Sequence, residues 1–136
     1  EAYNLFGLTM EGTDIYECTY GLVWLSSAEM VTFTKCSFMT SEQYSMFSFI
    51  DCYGVDLDDC KIMGNKIKSE GSPFITCQDS LSVNFENCLF RDNEYQIFLE
   101  DGYNPPTNII EFSGCTVRDE MQDVDYPEGI TQVSYR

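Results

Sequence analysis

Apolar residues recur in short alternating pairs along this chain, and the pairs belong to a unit that repeats. The unit reads apolar-x-apolar-x-x-Cys-x-apolar, where x is any residue, and an early copy has threonine in place of cysteine. The residues at this position are Thr13, Cys36, Cys60, Cys88 and Cys115. Successive members are separated by 23, 24, 28 and 27 residues. A period of this length indicates a stacked repeat, in which each unit is buried by its neighbours.

Each unit predicts three short strands. Alternation with a period of two points every second side chain inward, and the x-x breaks between apolar pairs are corners where the chain turns. Apolar spacing typical of a helix is not kept over three turns in any window. The sequence therefore predicts an all-β single domain of about five coils of parallel structure over residues 1–120. We expect residues 121–136 to form a tail, whose alternating end caps the last coil.

Parallel stacking places equivalent residues about 4.8 Å apart, in columns along the axis. Side chains in such a column point in parallel, whereas a disulfide needs them to converge, so we expect the cysteine column to hold buried, reduced thiols. With seven cysteines in all, at least one thiol has no partner within the monomer. A second column contains Ser41, Asn65 and Asn93, with Cys18 in the first coil. We interpret this second column as a turn device, because asparagine and serine side chains hydrogen-bond turn backbone.

Two insertions lengthen the regular period, and both are predicted loops. They span residues 66–73 and 101–108 and are rich in glycine, proline and polar residues. Loops on a rigid solenoid often carry binding. Tyr103, which lies close to two prolines, is therefore a candidate ligand-binding residue, and the alternative is a tolerated surface excursion.

Composition narrows the classes of partner. The 136 residues are 43% hydrophobic and 15% aromatic, which is enough for a core, and seven basic against 23 acidic residues give a net charge of −16. Because this charge repels phosphate backbones and anionic lipid surfaces, we expect no nucleic-acid partner and no membrane insertion. The repeat is already running by Leu5, so we also expect flanking domains of a longer parent chain.

The repeat units that end in Asn65 and Asn93 resemble the right-handed parallel β-helix of the pectin lyase-like superfamily. The resemblance covers roughly residues 5–120 and implies a right-handed solenoid. Superfamily members include polysaccharide lyases, glycoside hydrolases, adhesins, phage tail proteins and non-catalytic modules, so the resemblance implies a fold more than an activity. Hydrolases of the superfamily combine clustered aspartates with a histidine, and this chain contains no histidine. Since it is also short for such an enzyme, we name no catalytic residue.

Acidic residues occupy outward positions of successive coils and form the candidate metal site. Carboxylate oxygens spaced in this way are suited to Ca²⁺, which takes six to eight oxygen ligands. The candidate ligands are Asp56, Asp58, Asp59, Glu86 and Glu111. The alternative is a solvated acidic face, relieved in part by Lys35 beside Asp59. We expect no other cofactor.

Aromatic residues offer a second candidate site. Trp24 lies between the inward residues Val23 and Leu25 and therefore points out of the coil, which makes it a candidate ligand-binding residue. Tyr20, Tyr44 and Tyr95 fall near the preceding turn in successive coils. Exposed aromatic rings of this kind are typical of a carbohydrate platform, and the alternative is packing against flanking domains.

Taken together, these patterns favour a non-catalytic β-helix module of a larger secreted or cell-surface bacterial protein. Its role would be that of a rigid scaffold or a recognition surface for a polysaccharide or another protein. One alternative is a fragment of a calcium-dependent polysaccharide lyase or another carbohydrate-active enzyme. Another is a protein-interaction scaffold, and the reduced thiols would then suit a cytoplasmic location.

Overall fold

Parallel strands, stacked coil upon coil, make up the architecture. The structure is a computed structural model, and it describes residues 1–101, 110–119 and 124–133. Over these residues the chain forms eighteen strands and no helix. No helix in this part of the chain is therefore long and apolar enough to cross a membrane. Three long parallel sheets, here named faces A, B and C, run along the axis and are joined by corners.

The strands are numbered in chain order, and each coil contributes one strand to each face. Face A contains β1 (Ala2–Tyr3), β4 (Val23–Ser26), β8 (Phe47–Ile50), β12 (Ile75–Gln78) and β15 (Leu99–Asp101). Face B contains β2 (Phe6–Glu11), β5 (Glu29–Thr34), β9 (Tyr53–Asp58), β13 (Leu81–Glu86) and β16 (Ile110–Ser113). Face C contains β3 (Asp14–Tyr16), β6 (Ser37–Met39), β10 (Lys61–Met63), β14 (Leu89–Arg91), β17 (Cys115–Arg118) and β18 (Ile130–Gln132).

Strand pairing follows the repeat alignment. Every pair between neighbouring coils is parallel, and Leu57 is in register with Phe33 on one side and Phe85 on the other. Five strands on a face correspond to about four complete turns between the first and the last. The prediction of an all-β parallel solenoid is confirmed.

Thirteen corners contain one residue each in the left-handed conformation. The φ angles at these positions lie between 49° and 67°. The residues are Asn4, Ser27, Asp51 and Asp79 between faces A and B; Gly12, Lys35, Asp59, Asn87 and Gly114 between faces B and C; and Glu17, Thr40, Gly64 and Asp92 after face C. This conformation costs roughly 1–2 kcal/mol for a residue with a Cβ. The cost is offset because the backbone hydrogen bonds continue through the corners, as in the bond from the Lys35 amide to the Asp58 carbonyl.

From the second coil onward, a buried serine, alanine, cysteine or asparagine follows the left-handed residue, because little room remains inside a corner. Between faces B and C this residue is the repeat cysteine, and its thiol donates to a carbonyl of the preceding coil. Cys60 donates to the Phe33 carbonyl at 3.5 Å, and Cys88 donates to the Leu57 carbonyl at 3.4 Å. All seven cysteines are free, and six of them are buried. The thiols therefore serve as small, weakly hydrogen-bonding core residues.

Aromatic side chains fill the space between the faces. Phe47 is fully buried and contacts Phe38, Phe49, Phe74 and Phe85, with ring centroids 5.3–6.3 Å apart. Edge-on and tilted contacts of this kind add to the burial energy of each ring. The core therefore runs continuously from coil to coil along the axis.

One detail differs from the prediction of three strands in each coil. A fourth, two-stranded sheet pairs β7 (Glu42–Gln43) with β11 (Lys66–Ile67), so the predicted loop over residues 66–73 begins as a strand. Ion pairs from Lys66 to Glu94 and from Lys68 to Glu42 lie beside this pair. Sequence periodicity did not find it, because two-residue strands carry no alternation.

The tail adds to face C at the far end of the solenoid. β18 pairs in parallel with β17, and the Val133 amide donates to the Val117 carbonyl at 2.8 Å. Val124 and Tyr126 pack against the core. The domain boundary between residues 120 and 121 lies outside the described residues and stays a prediction.

Candidate functional site

Trp24 is the chain's single tryptophan and lies on the outer side of face A. Its indole N–H donates a hydrogen bond of 2.7 Å to the carbonyl oxygen of Ser45 in the next coil. The side chain is half-buried. This bond satisfies the one polar group of the indole and fixes the ring, so that its remaining surface is held in one orientation.

Gly21 makes room for that arrangement. A Cβ at this position would lie 2.4 Å from both the Ser45 carbonyl oxygen and the indole nitrogen of Trp24. The Ser45 oxygen belongs to the backbone and cannot move aside easily. A larger residue at position 21 would therefore displace the Trp24 ring. The sequence pattern does not indicate a role for Gly21, since a glycine in a turn has no distinguishing pattern.

Two exposed tyrosines continue the aromatic surface into the next coil. The rings of Tyr20 and Tyr44 are stacked, with centroids 5.9 Å apart and planes inclined by 15°. They are 62% and 42% exposed. Tyr20 and Trp24 also line one open cavity of about 290 Å³, together with Glu1 and Thr19. We name the surface formed by Tyr20, Trp24 and Tyr44 the aromatic cleft.

Tyr95 does not belong to this surface, although the sequence analysis grouped it with Tyr20 and Tyr44. Its side chain is 2% exposed, and its hydroxyl donates to the Asp119 carboxylate and lies 2.7 Å from the Tyr126 hydroxyl. The shared sequence position predicted a shared environment. That inference is wrong because the chain at Tyr95 turns inward under the described part of the tail.

The predicted turn column forms a buried ladder of hydrogen bonds. The Asn65 side chain accepts from the Ser41 amide at 3.0 Å and donates to the Phe38 carbonyl at 3.1 Å. Asn93 repeats the pattern one coil on, accepting from the Asn65 amide at 2.9 Å. The ladder ends at Asp119, which accepts from the Asn93 amide at 2.8 Å. These contacts support a structural role for the column.

Asp119 was missed by the sequence analysis. The ladder residues follow the repeat cysteine by five positions, whereas Asp119 follows Cys115 by only four. The carboxyl group is 4% exposed, and burial raises its pKa above the ordinary aspartate value. Burial, reinforced by the Asp119 charge, also raises the pKa of Tyr95.

The five candidate calcium ligands lie on or beside face B but separate into smaller sets. Asp58 is in register with Glu86, whereas Asn84 lies between Asp56 and Glu111. Asp59 is at the corner after face B and lines a cleft with Lys35 and Lys61. Within the described residues, no group of three or more acidic or cysteine side chains is placed to hold a metal ion. The calcium site stays a prediction.

Tyr103, the other candidate ligand-binding residue, lies outside the described residues, as does most of the predicted loop at 101–108. Its role stays a prediction. The site that the described residues assemble is therefore the aromatic cleft.

Comparison with known families agrees with the stacked parallel strands. The model of the right-handed β-helix region matches residues 2–135. This chain belongs to the right-handed β-helix family. The match gives the hand of the solenoid and covers the tail as well as the coils. It confirms the expected β-helix and, because the family is defined by fold, it carries no particular activity.

Comparison with individual proteins adds no functional information. No curated protein matches the chain. Two solved structures of trypsin-treated QnrB1, described as a plasmid-mediated fluoroquinolone resistance protein, are similar to it at 12% identity and a TM-score of 0.18. One match covers 97% of this chain and 92% of that chain, and the other covers 95% and 91%. At that TM-score the likeness carries no argument about fold or function.

Proposed function

We propose that this chain is a non-catalytic β-helix module of a larger secreted or cell-surface protein, and that its aromatic cleft binds glycans. The observation that carries the proposal is the pair of stacked, exposed rings of Tyr20 and Tyr44 beside the fixed indole of Trp24. Aromatic rings present an apolar face with a polar edge, which suits the apolar C–H face and surrounding hydroxyls of a sugar.

Two properties of the cleft support sugar binding over non-specific apolar association. The rings are held by a rigid backbone: the Tyr44 amide donates to the Tyr20 carbonyl at 3.1 Å. Ordering the rings in advance lowers the entropic cost of binding. The side chains of Glu1 and Thr19 line the same cavity and supply hydrogen-bonding groups for sugar hydroxyls.

A glycan array tests the proposal. The purified protein is applied beside a Tyr20→Ala/Tyr44→Ala variant and a matched Tyr16→Ala control, since Tyr16 is 60% exposed but lies in β3 on face C. We expect glycans that retain the native protein and the Tyr16→Ala variant but not the double variant. Retention that does not depend on Tyr20 and Tyr44 would contradict the proposal.

The main alternative is a fragment of a calcium-dependent polysaccharide lyase. Incubation with polygalacturonate or alginate and Ca²⁺ distinguishes the two, because lyase products carry a double bond that absorbs in the ultraviolet. We expect no turnover. Turnover that falls in an Asp58→Asn/Glu86→Gln variant would favour the enzyme instead.

The proposed secretion or surface display is supported by the thiols and does not depend on the aromatic cleft. Six buried, free thiols are shielded from oxidants, so an oxidising compartment is compatible with them. Immunodetection in fractionated source cells and culture medium tests the location. Recovery confined to the cytosol would favour the interaction-scaffold alternative.

A further inference from the structure

An exposed apolar stripe runs along the solenoid where face B begins. Its members are Phe6, Met30, Tyr53 and Leu81, which are 70%, 61%, 56% and 39% exposed. Phe6, Glu29, Tyr53 and Leu81 are in register, so in the second coil the stripe passes through Met30, beside the exposed Glu29. One such side chain on a surface is ordinary, but a row across four coils is a feature of an interaction surface.

Met30 is a member of the stripe whose presence is not explained by packing within the solenoid. It has a φ of 55°, a left-handed conformation that glycine adopts at lower cost, and the equivalent positions in neighbouring coils are Gly7 and Gly54. A large side chain in a strained conformation that buries little of its own surface gains little from folding.

Acidic residues border the stripe on the outer side of face B. Asp58 and Glu86 are directly in register, and like charges in that position destabilise a sheet. The ion pairs found among the described residues involve neither of them, nor Asp56 or Glu111. A cationic partner would relieve this repulsion, whereas nucleic acid and anionic membranes would add to it.

We propose that face B docks a basic amphipathic α-helix of a partner protein, lying parallel to the solenoid axis. Four coils span about 14 Å, the length of roughly ten helical residues. Tyr53 and Asp56 lie three strand residues apart, or about 10 Å, which is close to the diameter of a helix. A helix whose apolar side covers the stripe therefore places its flanking lysines or arginines over the acidic residues.

A helix fits this face better than an extended peptide. The inner strands β5, β9 and β13 are paired on both sides, so the face offers no free backbone to an added strand. A helix satisfies its own backbone hydrogen bonds and presents side chains alone. The surface is distinct from the aromatic cleft, and the proposal does not depend on glycan binding.

Fluorescence anisotropy with labelled synthetic peptides tests the docking surface. The probe is a 14-residue leucine–lysine peptide of helical periodicity, and its twin replaces lysine by glutamate. We expect the native protein to bind the basic peptide in low salt, to release it as salt rises, and not to bind the acidic twin. Circular dichroism of each protein variant checks that the fold is retained.

Two pairs of variants locate the binding. Asp58→Asn/Glu86→Gln should weaken binding roughly three- to tenfold, as expected for two exposed ion pairs. Tyr53→Ser/Leu81→Ser should weaken it by at least as much. The matched controls are Asp14→Asn/Glu17→Gln, which remove the same charge on and beside face C, and Tyr16→Ser. Equal losses in the controls and the face B variants, no loss in either, or equal binding of the acidic twin would overturn the proposal.

Discussion

The hydroxyl group of Tyr95 donates a hydrogen bond of 2.6 Å to the carboxylate of Asp119, and both side chains are buried. Asp119 terminates the asparagine ladder, while Tyr95 links it to Tyr126 under the end of the solenoid. A carboxylate thus occupies a position that asparagine fills in the two preceding coils. Burial favours its neutral form and raises its pKa.

Replacing Asp119 by asparagine should flatten part of the dependence of stability on pH. The folded pKa of Asp119 lies above the unfolded value of about 3.9, so the folded state binds the proton more tightly. Native stability is therefore lost as pH rises from about 4 through the folded pKa, and Asp119→Asn escapes that loss. Urea unfolding at several pH values should show the variant gaining relative to the native protein from acid to neutral pH.

The matched variant is Asp119→Ala, which leaves the Asn93 amide without its acceptor. An unsatisfied buried donor costs about 1–3 kcal/mol, so Asp119→Ala should be less stable than Asp119→Asn at every pH. A free energy of unfolding of Asp119→Asn, relative to the native protein, that stays constant or falls as pH rises would contradict the burial argument.

The asparagine ladder should contribute stability that a partly exposed surface asparagine does not. Asn65→Ala removes the acceptor of the Ser41 amide and the donor to the Phe38 carbonyl, so we expect a loss of about 3 kcal/mol in the free energy of unfolding. Asn84→Ala is the control, since the Asn84 side chain donates its hydrogen bond to the exposed carboxylate of Asp56 and not to buried backbone. Similar losses in the two variants, measured by urea titration, would show that the ladder is not structural.

Replacing Thr40 by glycine should stabilise the protein, although glycine usually destabilises a β-protein. It has a φ of 53°, which is unfavourable for a β-branched residue, and the equivalent corner position one coil on is Gly64. We expect Thr40→Gly to raise the free energy of unfolding by about 1 kcal/mol. Thr32→Gly, within β5, should lower it by a similar amount. Two changes of the same sign would contradict the corner geometry.

The thiols should separate into one reactive group and six protected ones. Cys18 is partly exposed and the other six are buried, where burial raises the pKa of Cys36 and Cys52 and lowers their thiolate fraction. A thiol reagent should modify one group quickly in the native protein and seven after unfolding in denaturant. Cys18→Ser should remove the fast phase. Fewer than seven groups after unfolding would reveal disulfides.

Much of the scaffold was predictable, because a period-two pattern and a repeating cysteine position specify which side chains point inward. Val55 and Leu57 are fully buried for that reason. Sequence equivalence failed at Tyr95, whose environment is set by the distant Tyr126 and Asp119. Asp119 lies one residue out of step with the repeat.

The aromatic cleft was predictable only in part. The outward direction of Trp24 follows from alternation between two inward residues. Its bond to the Ser45 carbonyl and the clearance at Gly21 depend on how two coils are stacked, which no local pattern records. The stack of Tyr20 on Tyr44 likewise depends on the exact offset between coils.

Titration of Trp24 fluorescence with a glycan retained on the array tests the proposed recognition surface most directly, because the chain has no other tryptophan. We predict a saturable change in emission for the native protein and for Tyr16→Ala, and its loss in Tyr20→Ala/Tyr44→Ala. Gly21→Ala should weaken the response by displacing the ring. An emission that stays constant as the retained glycan is added, or that changes equally in the double variant, would contradict glycan binding at the aromatic cleft.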